Sequence, residues 1–407
     1  MFLLDFRFDC LFWNIIYLLR FNGFTDEWNK VILDDIVTFS KGKCISKNDI
    51  SEEGIECVRY GELYTNYSEI IENIDSKTDL DENNLILSEK DDILIPCSGE
   101  TAIDLATASC VKKEGVAIGG DITIIKTDQY APFVAYYLNQ KKTEIAKYAQ
   151  GVSIVHLYPK DFKALKMKIP SINEQKKIIY LLEMITNKER LLEQEYQYYQ
   201  DFKKYLMQQI FTQKLRFDFD DKWKNIPFKK ILKEINEKTT VNNQHEILSS
   251  TKEGIFTQKE YFADRNVASK DNTGYKILRK NQIVLSPQNL WMGNINVNTE
   301  FDIGIVSPSY KIYETTDLVD INYFKYVIKL PRLIYEYTCA SEQGASIVRR
   351  NLNKQLFNEI TIKVPSHDEQ KKIGNLLDVC DEKIKNIDKN IKDMKEFKKG
   401  LLQQMFV

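Results

Sequence analysis

Loops carrying Asn, Gln, Arg, Ser and aromatic side chains recur through this 407-residue sequence. In the first half they hold Arg59, Tyr60 and Tyr64, then Ser98, Glu100 and Thr101, then Lys112 and Lys113, and finally Gln150, Ser153 and His156. In the second half they hold Thr251 and Lys252, then Gln288, Asn289 and Trp291, and then Ser346, Arg349 and Arg350. The chemistry these types offer is recognition. Asn, Gln and Arg read base edges by paired hydrogen bonds, Ser and Gly let a backbone approach phosphate, and aromatic rings stack or wedge. Each has an ordinary alternative, because Ser-Gly is commonly a turn and an isolated Tyr or Trp is commonly core.

Bond-making chemistry has no comparable signature. There is no Walker A loop, GxGxxG, HExxH or GxSxG, and no Asn/Asp-Pro-Pro-aromatic motif of an amino-methyltransferase. Seven cysteines include no CxxC pair, and three histidines join them, so neither a metal centre nor a structural zinc is expected. Scattered thiols with no secretory signal fit a reducing cytoplasm. The opening MFLLDFRFDCLFWNIIYLL is interrupted by Asp5, Arg7, Asp9 and Asn14, leaving too short an apolar run to cross a membrane.

The net charge of -2 excludes a generally basic nucleic-acid coat and a polybasic membrane binder. That total is an average. Residues 47–128 hold nineteen acids against seven bases, whereas 129–170 hold seven bases against two acids. A nucleic-acid binder needs a basic face. Either the positive surface is local, around Lys141, Lys142, Lys147, Lys160 and Lys163, or another subunit supplies much of the phosphate clamp.

The elements that must position these loops are written twice. IPSINEQKKI (169–178) returns as VPSHDEQKKI (364–373), an offset of 195 that holds through YLMQQIF (205–211) and GLLQQMF (400–406). LRFNGFTDEW (19–28) is echoed by LRFDFDDKW (215–223), and QGVSIV (150–155) by QGASIV (343–348). Between these anchors the copies barely resemble each other, so variable blocks alternate with shared segments.

Each shared segment reads as a long helix. Pro170 and Pro365 close the strand-like KMKI and TIKV runs, since proline cannot donate to a ladder. Ser171 with Glu174, and Ser366 with Glu369, have capping-box spacing, followed by Gln175 and Gln370. Ile178, Leu182, Ile185 and Leu192 then keep a heptad step, as do Ile373, Leu377, Ile384 and Ile387. Glu189, Lys203 and Lys398 fall on the same seams, and polar seam residues can set register. At 1.5 Å per residue each helix runs about 55 Å. Two similar seams in one chain most economically pair with each other, giving a pseudo-twofold; an intermolecular coiled coil of a structural protein is the alternative.

The variable blocks are expected to be mixed α/β units. Strands are predicted at 54–60, 92–96, 116–125, 282–287 and 304–308, with helices near 133–148 and 323–337. The expected architecture is α/β: two recognition domains with β-sheet and helices, joined by an antiparallel coiled coil. Its segments are an extension at 1–18, a first domain at 19–170, a helix at 171–214, a second domain at 215–365 and a second helix at 366–407.

Over residues 19–407 the twin anchors resemble the specificity subunit of Type I restriction-modification systems. The resemblance implies that each variable block reads one half of a bipartite asymmetric site in double-stranded DNA. It further implies that the helices form a spacer docking two methyltransferase subunits, with restriction and translocase subunits added for cleavage. S-adenosylmethionine, ATP and Mg would serve those partners in adenine-N6 methylation and DNA cutting; this cytoplasmic chain would bind no cofactor and make no bond itself. Family members begin near the LRF segment, so 1–18 would be an extra helix or an overcalled start. Two other classes stay in view: a non-DNA coiled-coil adaptor, and an enzyme such as a nuclease with an unrecognised site.

Overall fold

In the computed structural model the described residues are 6–8, 19–43, 45–151, 154–262, 269–343 and 349–406. The fold is mixed α/β, and the chain divides into two compact units, Met1–Gln194 with Lys389–Val407, and Glu195–Asp388. Five helices are named here: α1 (Ala131–Gln140), α2 (Ile172–Phe211), α3 (Ile321–Val327), α4 (Pro331–Cys339) and α5 (His367–Met405).

The first unit is built on a five-stranded sheet ordered Val37–Lys41, Ile122–Thr127, Asp92–Pro96, Ser109–Val111 and Ile70–Ile71, antiparallel except at its last pair. Residues 92–96 are buried throughout, which suits a continuous apolar run covered on both faces. Helix α1 is buried from Ala131 to Leu138, because APFVAYYL is apolar on every side and must sit inside. Ile178, Leu182 and Ile185 at the start of α2, and Leu401 and Met405 at the end of α5, join the same core.

The second unit carries an antiparallel four-stranded sheet ordered Leu232–Ile235, Lys311–Thr315, Ile283–Leu285 and Ile295–Val297. Its core gathers Phe228, Tyr323, Phe324, Tyr337 and Phe357 with Leu206 and Ile210 of α2 and Ile373 and Leu377 of α5. Pro331 splits the single helix expected near 323–337 into α3 and α4. Proline has no N–H to donate, so it is favoured as the first residue of a new helix.

The repeated residues do the same work in each unit. Lys166–Ile169 pairs antiparallel with Asn29–Ile32, and Thr361–Val364 with Lys224–Pro227. Trp28 meets Phe133 edge-on at 6.2 Å while Phe406 lies 5.3 Å from Phe133. Trp223 meets Tyr323 at 6.4 Å while Phe211 lies 5.8 Å from Tyr323. Edge and tilted ring pairs of this kind add to plain burial.

The helix starts differ from the capping box that their spacing suggests. The Ser171 hydroxyl accepts from Glu174 N at 3.4 Å, but the Glu174 carboxylate turns inward to Arg20, whose Nε and Nη2 donate at 2.9 and 2.7 Å. Glu369 likewise receives Arg216 at 3.1 and 2.8 Å and Trp223 Nε1 at 3.1 Å. A bidentate guanidinium outcompetes a single backbone amide for a buried carboxylate. Gln175 accepts from Tyr130 N, which precedes α1, and donates to the Pro170 carbonyl. Gln370 accepts from Asp320 N, which precedes α3, and donates to the Pro365 carbonyl. The Glu-Gln pair therefore bolts each long helix to its own variable block.

Within the first unit Lys398 reaches Glu189 at 3.8 Å and Lys395 reaches Glu193 at 2.7 Å. Within the second, Lys203 pairs with Asp381, and Lys383 with Glu195 at 2.9 Å. In both units rising numbers in α2 meet falling numbers in α5, so the pairing is antiparallel. Ile384 is only partly buried on this seam, whereas Ile387 is 2% exposed.

Burial pulls Lys329 down to about 8, against a weaker opposite influence of Glu253. Its Nζ donates to the carbonyls of Gly293 and Lys252 at 3.0 and 3.2 Å. Between pH 8 and the ordinary 10.5 the unfolded chain binds more protons than the folded one at this site, so folding stability gains as pH rises through that window. Urea titrations at pH 8 and 10 should show that gain in the wild type and its loss in Lys329→Met; equal pH slopes would refute it.

Of the extension at 1–18, Phe6–Phe8 forms a strand against Leu19–Phe21 rather than helix; the rest lies outside the described residues.

Candidate nucleic-acid interface

Gln150 pairs with His156 and Gln343 with Arg350, and each of these pairs meets the loop that follows a buried strand. In the first unit Val155–His156 pairs with Ser98–Gly99, and Gln150 and His156 exchange backbone hydrogen bonds of 2.9 and 2.7 Å. Gly151 makes the tight return, since at its φ of +129° an added Cβ would come within 2.1 Å of the Ile154 carbonyl oxygen. The Ser98 hydroxyl and His156 Nδ1 are 3.1 Å apart. His156 stacks on Tyr158 with ring planes 4° apart, and the Lys160 ammonium lies 6.0 Å from the Tyr158 ring centre.

Around this stem the fold collects other expected residues. A Cβ on Gly99 would stand 3.7 Å from the Tyr64 ring, and Tyr60 is exposed nearby in sequence. Thr101 caps the turn Ala102–Leu105, and Glu100 is exposed. Burial, with smaller contributions from Tyr60, Asp104 and Glu100, pushes the Tyr64 hydroxyl up, so it stays a neutral donor. Tyr158 was missed by sequence reasoning, although it ends the QGVSIVHLY stretch and its aromatic type was a usable signal, whereas Lys160 is one of the lysines expected to form a local positive surface.

Other basic candidates face carboxylates of their own unit. Arg59 Nη2 donates to Glu62 at 2.9 Å. Lys113 holds Glu56 at 2.9 Å, and Lys112 holds Asp91 at 2.6 Å. Burial is the largest single influence on the Lys112 ammonium and lowers it, but the hydrogen bond to Asp91 together with the charges of Cys110, Asp91 and Tyr130 outweighs it and raises the group overall. Their contacts are not those of the hairpin cluster. Lys163 is engaged with Asp34, and Lys142 with the Thr107 hydroxyl.

In the second unit Ser341–Gln343 pairs with Arg350–Leu352, and Arg350 N donates to the Gln288 carbonyl at 3.1 Å. The Arg350 guanidinium lies 4.4 Å from the centre of the Trp291 ring, within cation–π range. The Thr338 hydroxyl of α4 donates to the Trp291 carbonyl at 3.1 Å. Gln288 and Arg349 are exposed and Asn289 partly so. Thr251 is turned inward, its hydroxyl accepting from Glu253 N and Gly254 N, while Lys252 is exposed beside Glu253. A buried network of Ser250, Asn294 and Asn296 steadies that turn. Ser153 and Ser346 lie outside the described residues.

The expected helix residues are structural members of their own units. Glu174, Gln175, Glu369 and Gln370 are at most 1% exposed, and Ile178, Leu182, Ile185, Leu192, Ile373 and Leu377 are buried too. Surface left by the helices includes Tyr198, stacked on Phe202 in α2 with planes 5° apart. Among the described residues no group of three or more His, Cys, Asp or Glu side chains is placed to hold a metal. No helix there is long and apolar enough to cross a membrane. The arrangement offers planar polar heads laid on aromatic faces, a chemistry of recognition.

Comparison with known proteins bears on that reading. Residues 25–198 match the Type I restriction modification DNA specificity domain. The S subunit of a Type-I restriction-modification system from M. genitalium has a similar fold, with a TM-score of 0.59 over 95% of this chain and 97% of that one at 17% identity. A structure concerned with complex assembly and conformational transition of the type I R-M system is similar at a TM-score of 0.53, covering 94% and 98% of the two chains at 14% identity.

Proposed function

We propose, from a chain whose residues 25–198 match the Type I restriction modification DNA specificity domain, that it is the sequence-reading subunit of a Type I restriction-modification complex. Each variable block reads one half of a bipartite asymmetric site in double-stranded DNA, and the segment between the halves goes unread. The long helices dock two methyltransferase subunits, to which restriction and translocase subunits are added. S-adenosylmethionine, ATP and Mg act in those partners, in the cytoplasm, and this chain chooses where they act.

The observation that carries this reading is the identical bolting of two dissimilar blocks. Arg20 with Glu174 and Arg216 with Glu369 make the same ion pair, while the loops they hold share almost nothing. A frame held constant while its loops diverge is what recognition of different half-sequences requires. Linking the two readers also makes the second binding event intramolecular. Mapping adenine methylation in a host carrying this chain and its methyltransferase tests the reading: a bipartite motif is expected, absent when either is omitted. Methylation independent of this chain would sink it.

A second expectation follows from the carboxylates that already hold Arg59, Lys112 and Lys113. With these candidate cations already paired, the chain alone should bind DNA weakly, gaining affinity when the methyltransferase joins. Fluorescence anisotropy with a duplex containing the mapped site reads this directly; tight, sequence-specific binding by the lone chain at physiological salt would contradict it.

A further inference from the structure

Several of the described arginines are committed to carboxylates. Arg20, Arg59, Arg216 and Arg279 each hold a carboxylate. A guanidinium so paired has part of its charge cancelled and part of its donor fork occupied. Arg350 is held differently, by the face of Trp291 at 4.4 Å; its Nε is buried and has no hydrogen-bond partner among the described residues, which leaves the terminal nitrogens as the outward donors. An aromatic face orients the guanidinium plane without occupying its terminal donors.

The mount under this arginine is rigid. Its own N–H is tied to the Gln288 carbonyl, its strand is paired residue by residue with Ser341–Gln343, and the Trp291 backbone is tied to Thr338 of α4. Asn353 Nδ2 donates to Glu342 at 2.8 Å across the same hairpin, so the nearest acid on the stem is itself engaged. Turn, helix end and paired strands thus meet at one planar guanidinium, beside exposed Gln288, to which no carboxylate among the described residues is paired. Holding side-chain freedom down before binding is what lets a single residue discriminate.

We propose that Arg350 reads a guanine in the half-site taken by the second unit, with Trp291 as its positioning residue. The inference rests on the DNA-reading function above and adds a base to it. Guanine offers two acceptors, O6 and N7, on its major-groove edge, matched to the two parallel donors of a guanidinium, while adenine puts a donor in place of O6. Glutamine matches adenine instead, so Arg350→Gln should do more than weaken binding.

Methylome mapping of the complex formed with wild type, Arg350→Gln, Trp291→Ala and Trp291→Phe is the test, with melting curves of the purified chains alongside. The wild-type half-sequence of the second unit should contain an invariant G·C pair. Arg350→Gln should cut discrimination at that one pair by about tenfold to a hundredfold, admitting adenine there, with the other half-sequence and the gap unchanged. Trp291→Ala should relax the same position to a smaller degree, and Trp291→Phe should restore it. A second half-sequence without a fixed G·C pair overturns the proposal. So does an unchanged motif in Arg350→Gln, an equal loss at every position as for a phosphate contact, or variants that shift only the melting temperature. A wild-type complex that yields no bipartite motif at all would instead remove the DNA-reading function itself, so the two failures are distinguishable.

Discussion

Glu174→Ala is expected to cost about 3–5 kcal/mol of folding stability, the range for removing one partner from a buried ion pair. The carboxylate is 2% exposed and Arg20 only 12%, so the variant strands a guanidinium that water cannot reach freely. Two charge-assisted bonds of 2.9 and 2.7 Å are lost together. The same contact joins the strand Leu19–Phe21 to the first turn of α2, so its loss loosens the frame of the variable block. Urea denaturation should show a lowered midpoint, and Arg20→Met combined with Glu174→Leu should recover much of it, because no charge is then left buried. An unchanged midpoint in Glu174→Ala would mean that the pair merely decorates the helix start.

Matched four-residue insertions in the paired helices are expected to abolish methylation at the original site and create it at a longer one. Each insertion adds about 6 Å of helix at 1.5 Å per residue, close to two base pairs at about 3.4 Å each. Half-site spacing is a geometric quantity, so the gap should grow while both half-sequences stay as they were. The seam contacts dictate where to insert: between Glu189 and Lys203 in α2, and between Asp381 and Lys395 in α5, so that Glu189 keeps Lys398 and Lys203 keeps Asp381 within their own units. Lengthening α2 alone cannot preserve both pairs and should give an unstable protein instead. Altered half-sequences at an unchanged gap, read by methylome mapping, would refute a spacer set by the helices.

Much of the frame was legible because it rests on local rules. Proline closes a strand, a heptad step makes a long seam, and an offset of 195 announces that whatever the first copy builds the second will build again. The helix expected near 133–148 was legible in part: α1 takes its first turns and ends at Gln140. Where local rules compete with distant partners the reading fails. The capping-box spacing of Ser171 and Glu174 is real, yet an arginine 154 residues away takes the carboxylate. A single helix near 323–337 yields to Pro331, a local signal that was present and underweighted.

The candidate interface divides along the same line. The residue types were visible, because Asn, Gln, Arg and aromatics in loops after strands say recognition whatever their positions. Which of them retain an open donor fork was not visible. Arg59 and Arg350 look alike as letters; one meets Glu62 three residues on and the other meets Trp291 from a separate loop.

By itself, then, the sequence determined the duplicated plan, the two seams and the absence of familiar catalytic motifs, since periodicity and repetition are properties of the chain taken in order. Tertiary structure alone decided which charges are cancelled and which aromatic carries which polar head. Those outcomes depend on distances between residues far apart in the chain, and a buried carboxylate goes to whichever cation the fold brings nearest.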